Sequence, residues 1–216
     1  MTRQALLKCC GNRSYEDYTK SRDVADWLGF IFFEGSKRYV KPAIVQQWLN
    51  ETPLKEQQLA VGVFVNATIE DIQRAATEFP NMNVIQLHGN EAPEMAVELK
   101  ATLNKTILKA IHHSDEGLAM MRSYAQKVDG FLIDTKSPQW GGSGLSFDWA
   151  SIPAYQAVAR ELGVPLFVAG GVTPDNVKEL LRYHPDGIDL ASGIEENGAK
   201  SEQKIKHLEA MMNDGT

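Results

Sequence analysis

Short apolar runs alternate with longer half-polar stretches along the whole chain. The runs fall at 5–10, 28–33, 59–65, 84–87, 107–111, 130–134, 165–169 and 187–191, most of them rich in Val, Ile, Leu or Phe and flanked by turn residues. Runs of this length that are apolar throughout, not alternately, are expected of parallel strands covered on both faces. The stretches between them read as helices. In 91–103, Ala92, Met95, Ala96 and Leu99 recur at helical spacing. The stretch 174–183 is expected to be a helix with Thr173 as its N-cap and Pro174 at its first position.

Eight strands alternating with eight helices imply βα units and a parallel sheet. The sheet could close into a barrel or stay open and doubly wound. Eight units within 216 residues, with short links and no long edge element, favour one α/β domain over 1–216, a single (β/α)8 TIM barrel. In such a barrel the reactive groups sit at the C-terminal ends of the strands. Those ends carry Cys10-Gly11, the stretch 34–38, Asn66, His88-Gly89, His112-His113, Asp134-Thr135, Gly170-Gly171 and Ser192-Gly193.

Composition narrows the function. Hydrophobic residues at 43% and charged residues at 23% are ordinary for a globular chain. The net charge of −6 repels nucleic acid and acidic lipid, so neither is an expected partner. Any anionic ligand must then be held by local groups. No apolar run approaches the ~18 residues of a membrane span, and the first residues turn polar too early to be expected as a secretory h-region. The only cysteines, Cys9 and Cys10, are neighbours and poor disulfide partners. A reduced, cytoplasmic protein is expected.

The strand-end groups suggest chemistry one by one. Alternation along 5–10 puts Leu6, Lys8 and Cys10 on one face and Leu7 and Cys9 on the other. A Cys10 facing the barrel mouth could act as base or nucleophile near a cation such as Lys8, whereas two inert core thiols are the plainer reading. Asp134 ends an apolar strand, where desolvation would suit a general acid; it could equally cap the following loop. Gly141-Gly142-Ser143-Gly144 is either a flap or a plain loop. Gly170-Gly171 and Ser192-Gly193 end the seventh and eighth strands, where barrels of this kind hold phosphate with backbone N–H groups and a short extra helix. Arg38 suits a carboxylate, or is a solvated loop charge. His112 and His113 point oppositely on a strand, and no metal-ligand motif is present, so no metal site is expected.

Taken in order, Lys8-Cys9-Cys10-Gly11, 36–40, 61–66, Gln86-Leu87-His88-Gly89, 132–135, 141–144, 169–177 and 189–195 resemble the phosphoribosylanthranilate isomerase family over essentially the whole chain. The resemblance implies a cofactor-free Amadori rearrangement of N-(5-phosphoribosyl)anthranilate in tryptophan biosynthesis, with a small phosphosugar as partner, in a monomer or homodimer. It makes Cys10 the general base and Asp134 the general acid, and places Arg38 at the anthranilate carboxylate. It gives Gly170, Gly171, Ser192 and Gly193 to the phosphate, and adds Gln86, His88 and Asp189 to the substrate site. Asn12-Arg13, Cys9 and Ala191 depart from the usual family residues. Other readings are another phosphosugar barrel isomerase or epimerase, an indole-forming lyase or synthase with a strand-end Lys, and a phosphate-binding module without catalysis. In the isomerase reading the site is expected to bring both the thiol and the carboxyl pKa towards neutrality.

Overall fold

The computed structural model of the chain describes residues 4–134 and 148–213. Eight parallel strands pair in sequence order and close, β8 onto β1, into a (β/α)8 barrel. They are β1 Leu6–Cys9, β2 Trp27–Ile31, β3 Leu59–Phe64, β4 Val84–Leu87, β5 Thr106–His112, β6 Gly130–Asp134, β7 Leu166–Val168 and β8 Gly187–Leu190. All eight expected runs are strands: 84–87 and 130–134 keep their bounds, and the others have ends moved by at most two residues. Eight α-helices follow them, α1 Tyr15–Arg22, α2 Pro42–Glu51, α3 Ile69–Glu78, α4 Pro93–Leu103, α5 Gly117–Ser123, α6 Ile152–Leu162, α7 Val177–Leu181 and α8 Glu202–Asn213.

Strand alternation divides the buried residues into two layers. Outward residues such as Leu7, Cys9, Leu28, Phe30, Ile85, Leu87, Ile107 and Ile111 form the core between sheet and helices. Inward residues Val61, Val63, Val84, Leu108, Ala110, Leu132, Phe167 and Cys10 fill the barrel itself. Trp27 and Phe167, with ring centroids 4.6 Å apart, plug the end of the barrel away from the reactive rim. Truncating a fully buried ring such as Phe167 costs about 3–5 kcal/mol.

Helix starts follow local chemistry. Ser14 accepts from the Asp17 N–H and Thr68 from the Asp71 N–H, both at 3.1 Å, as N-caps do. The expectation for 174–183 is corrected. Thr173 is no N-cap: the Asn176 side chain accepts from the Thr173 N–H at 2.8 Å and donates to the Gly171 carbonyl at 2.9 Å. That turn delays α7 to Val177 and shortens it to five residues.

One element went unread in the sequence. Glu195–Glu196 (β9) pairs antiparallel with Ala199–Lys200 (β10) through an Asn197-Gly198 turn with φ of 51° and 80°. Two central residues at positive φ make the tight hairpin turn for which Asn-Gly is the preferred dipeptide. The hairpin folds Lys200 back beneath the rim. Thr135 and the glycine-rich run 141–144 lie outside the described residues.

Candidate active site

One cavity opens at the C-terminal ends of the strands, and its wall gathers nearly every residue singled out from the sequence. Cys10, Ser36, Arg38, His88, Asp134, Gly170, Gly171, Asp189, Ser192 and Gly193 line it, together with the apolar Ile31, Phe33, Val63, Val65 and Ala169. Cys10 and Asp134 stand at the ends of β1 and β6, three strands apart around the closed sheet. Cys9 turns away into the outer core.

The thiol of Cys10 sits above a buried ion pair. Lys8, two residues down the same face, donates from Nζ to Asp189 Oδ1 at 2.9 Å; the two residues are register partners across the β1–β8 seam. Burial pushes the Cys10 thiol up, and Asp189 adds to the rise, more than the cations of Lys8 and Lys200 pull it down. The expectation that the site lowers this pKa is therefore corrected, because burial of the thiol outweighs the pull of Lys8, and the Asp189 carboxylate beside Lys8 adds to the rise. Lys8 in turn is held above the usual lysine value: Asp189 and Cys10 outweigh its desolvation.

Arg38 is not a loop charge in solvent. It is buried, and its Nε and Nη2 donate to the two carboxylate oxygens of Glu195 at 2.7 Å each. Burial works against both charges, but the pairing wins, holding Arg38 above and Glu195 below their usual values. The bidentate edge expected to meet a substrate carboxylate is thus already occupied within the protein. Glu195 itself was given no role from the sequence. Nor was Lys200, which is buried and donates to the Cys10 carbonyl at 2.6 Å, the Ala191 carbonyl at 3.0 Å and Glu195 Oε1 at 3.2 Å. The Asn197-Gly198 dipeptide was the available signal for the hairpin that delivers it.

Asn12 and Arg13, the departures after Cys10-Gly11, stitch this corner together. Asn12 donates to the carbonyls of Cys9 at 2.9 Å and Gly29 at 3.1 Å, and Arg13 donates to the Lys37 carbonyl at 3.3 Å.

On the far wall His88 faces Asp134, with Nε2 and Oδ2 3.3 Å apart. Gln86, expected at the substrate site, is completely buried and is not among the residues lining the cavity; its amide meets His88 Nδ1 at 2.8 Å. His112 also turns towards this pair, its ring centroid 5.3 Å from that of His88, and burial keeps its pKa below the usual histidine value. His113 points the other way, to the Tyr155 hydroxyl at 3.0 Å. Lys109 is on the outer face of β5, bound to Glu91 at 2.8 Å and to the Gly89 carbonyl at 2.7 Å, and so braces the loop that carries His88. It is not a strand-end lysine of the site.

The remaining edge is backbone. Gly170 and Gly171 have φ of 82° and 68°, a left-handed pair that L side chains rarely adopt. Ser192–Ile194 forms the short 3-10 turn after β8. A Cβ on Gly193 would overlap the Val172 carbonyl oxygen, so only glycine lets these two loops pack together.

A (β/α)8 barrel with a thiol and a carboxyl on opposite walls of one mouth, and a glycine edge at β7 and β8, defines an acid–base enzyme of the phosphosugar-barrel class. The family model described as N-(5'-phosphoribosyl)anthranilate (PRA) isomerase matches residues 7–210, and the chain belongs to that family. It is 46% identical to the N-(5'-phosphoribosyl)anthranilate isomerase of Geobacillus thermodenitrificans over 94% of this chain and 91% of that one. Among solved structures, the phosphoribosyl anthranilate isomerase of Thermotoga maritima superposes with a TM-score of 0.83, at 32% identity over 97% of this chain and 99% of that one. A phosphoribosyl anthranilate isomerase in complex with reduced 1-(o-carboxyphenylamino)-1-deoxyribulose 5-phosphate gives 0.81, at 29% identity over 97% and 99%. The chain is accordingly an isomerase of tryptophan biosynthesis. Among the described residues no helix is long and apolar enough to cross a membrane.

Proposed function

We propose that Cys10 and Asp134 carry the Amadori rearrangement of N-(5'-phosphoribosyl)anthranilate as general base and general acid. The observation that supports this most is their placement on opposite walls of one cavity, with cationic and backbone anion-binding groups at its edges. Asp134, protonated, gives its proton to the furanose ring oxygen as the C1–O bond breaks, leaving an iminium at C1. Cys10, as thiolate, takes the proton from C2, and the electron pair of that bond forms an enamine. Return of a proton from Cys10 to C1, with loss of the 2-hydroxyl proton that restores Asp134 to its acid form, gives the 2-ketone, so the product is an isomer of the substrate and no redox partner is needed.

The anions of such a substrate explain the rest of the wall. The edge formed by Gly170, Gly171, Ser192 and Gly193 receives the phosphate, since turn and helix-start amides attract an anion at short range despite the net charge of −6. Arg38, held flat by Glu195, turns its remaining N–H groups to the anthranilate carboxylate. His88 keeps Asp134 oriented, and Gln86 acts through His88. Asp189 acts through Lys8 beneath the thiol. Cys9 and Cys10, both buried and not joined in a disulfide, fit a reducing cytosol.

The direct test supplies phosphoribosylanthranilate to the purified chain and follows the loss of its fluorescence. First-order loss proportional to enzyme is expected. No loss above the spontaneous rate would overturn the reading.

A further inference from the structure

We propose that His88, His112 and Asp134 form a binding site for a divalent transition-metal ion of the zinc type, and that its occupancy inhibits the isomerase. The inference extends the acid–base reading of the same cavity, because the ion would take as a ligand the carboxylate assigned to proton donation. It also revises the expectation of no metal site, which rested on the opposed His112 and His113 and on the absence of a local metal-ligand motif.

The three residues stand at the mouth-side ends of consecutive strands, β4, β5 and β6, and His112 and Asp134 are register partners. Their ligand atoms all lie within 4.8 Å of one another. His88 Nε2 and Asp134 Oδ2 are 3.3 Å apart. With metal–ligand bonds of ~2.0–2.1 Å, the edge of a tetrahedral zinc site is about 3.3–3.4 Å, so that pair already has the spacing of two ligands. Swinging the His112 ring inward completes a three-ligand face.

The chemistry of the set selects the ion. Two imidazoles and one carboxylate suit zinc and its late-transition neighbours, whereas calcium and magnesium take oxygen ligands. Three protein ligands leave one position open, and Asp134 and His88 face the cavity, so that position belongs to water or substrate. The buried Gln86 amide meets His88 Nδ1 at 2.8 Å. With its oxygen turned to an Nδ1–H, the Nε2 lone pair is left facing Asp134, the outer-shell arrangement typical of metal-bound histidine. His112 and Asp134 are the last residues of β5 and β6, and His88 is the first residue after β4, its N–H still bonded to the Phe64 carbonyl of β3 at 2.8 Å, so binding asks chiefly for side-chain rotation.

The test uses the full chain, stripped with a chelator and dialysed. Zinc is titrated calorimetrically, and cobalt(II) is titrated in parallel while its visible d–d absorption is recorded. Expected are one ion per chain, intense low-symmetry cobalt bands, and loss of isomerase activity in step with occupancy, reversed by chelator. His112→Ala should keep metal-free activity within about threefold while weakening zinc at least ~10-fold, as loss of a ligand does at minimum. His88→Ala should abolish the cobalt bands as well. Absence of binding, binding indifferent to both substitutions, or full activity at full occupancy would each overturn the proposal. An inactive metal-free chain would count against the isomerase reading alone, since the cobalt titration still decides whether these three residues bind the ion.

Discussion

The guanidinium of Arg38 lies edge-on to the carboxylate of Glu195, two hydrogen bonds of 2.7 Å joining residues 157 positions apart. Both are almost fully withdrawn from water. Removing one partner of such a pair leaves a buried charge uncompensated, at a cost of about 3 kcal/mol, which lowers Tm by roughly 6–12 °C in a chain of this size. Glu195→Gln should show that loss by calorimetry, and a KM raised more than kcat is lowered, because Arg38 is no longer held in place. An unchanged Tm and KM would mean that the pair neither stabilises nor positions anything.

Cys10→Ala and Asp134→Asn should each lower kcat at least ~100-fold, the size expected for a lost general base or acid, with smaller changes in KM. Cys9→Ala should leave kcat nearly untouched, since that thiol faces the helices. Steady-state kinetics on the three variants decides between the two sulfurs. Collapse in Cys9→Ala with survival of Cys10→Ala would reverse the assignment.

The pH dependence follows from the raised thiol. A base that is protonated in the folded enzyme near neutrality gains activity as pH rises, so kcat/KM should climb through the alkaline range above the ordinary thiol value of ~8.5. Lys8→Met removes the larger of the two cationic effects on the thiol and should move that rise to still higher pH. The stability sign is opposite. A group whose folded pKa is raised contributes stability that is complete below its unfolded pKa and lost as pH rises through the folded one. Denaturant midpoints should therefore fall over the same alkaline range, and less steeply in Cys10→Ala. A flat rate profile there would remove the thiolate from the mechanism.

Gly193→Ala tests the anion edge. The new methyl would overlap the Val172 carbonyl, forcing the β7 and β8 loops apart. KM is expected to rise at least ~10-fold, with inhibition by inorganic phosphate weakened in parallel. Retention of wild-type phosphate inhibition would show that the phosphate is held elsewhere.

Much of this was readable before any coordinates. Eight apolar runs of strand length, each followed by a helix-length stretch, leave few architectures other than a closed parallel barrel. Period-two alternation separates Cys10 from Cys9, and Gly170-Gly171 and Ser192-Gly193 at the seventh and eighth strand ends mark where backbone can approach a ligand. These features are local. They depend on residues within a few positions of one another, and a linear pattern carries them in full.

What stayed hidden was which charges meet. Lys8 finds Asp189 across 181 positions, and Lys200 reaches the Cys10 carbonyl across 190. Neither contact exists until β8 closes onto β1 and the hairpin folds underneath. The same closure reversed the expected shift of the thiol, because its burial and the Asp189 carboxylate placed near it are properties of the packed barrel. Pairing of β4, β5 and β6 in turn brought His112 to His88 and Asp134, a register that the linear spacing does not show. Composition and periodicity thus specify the barrel and its reactive rim, while the electrostatics of that rim arise only from side chains meeting in a closed, desolvated interior.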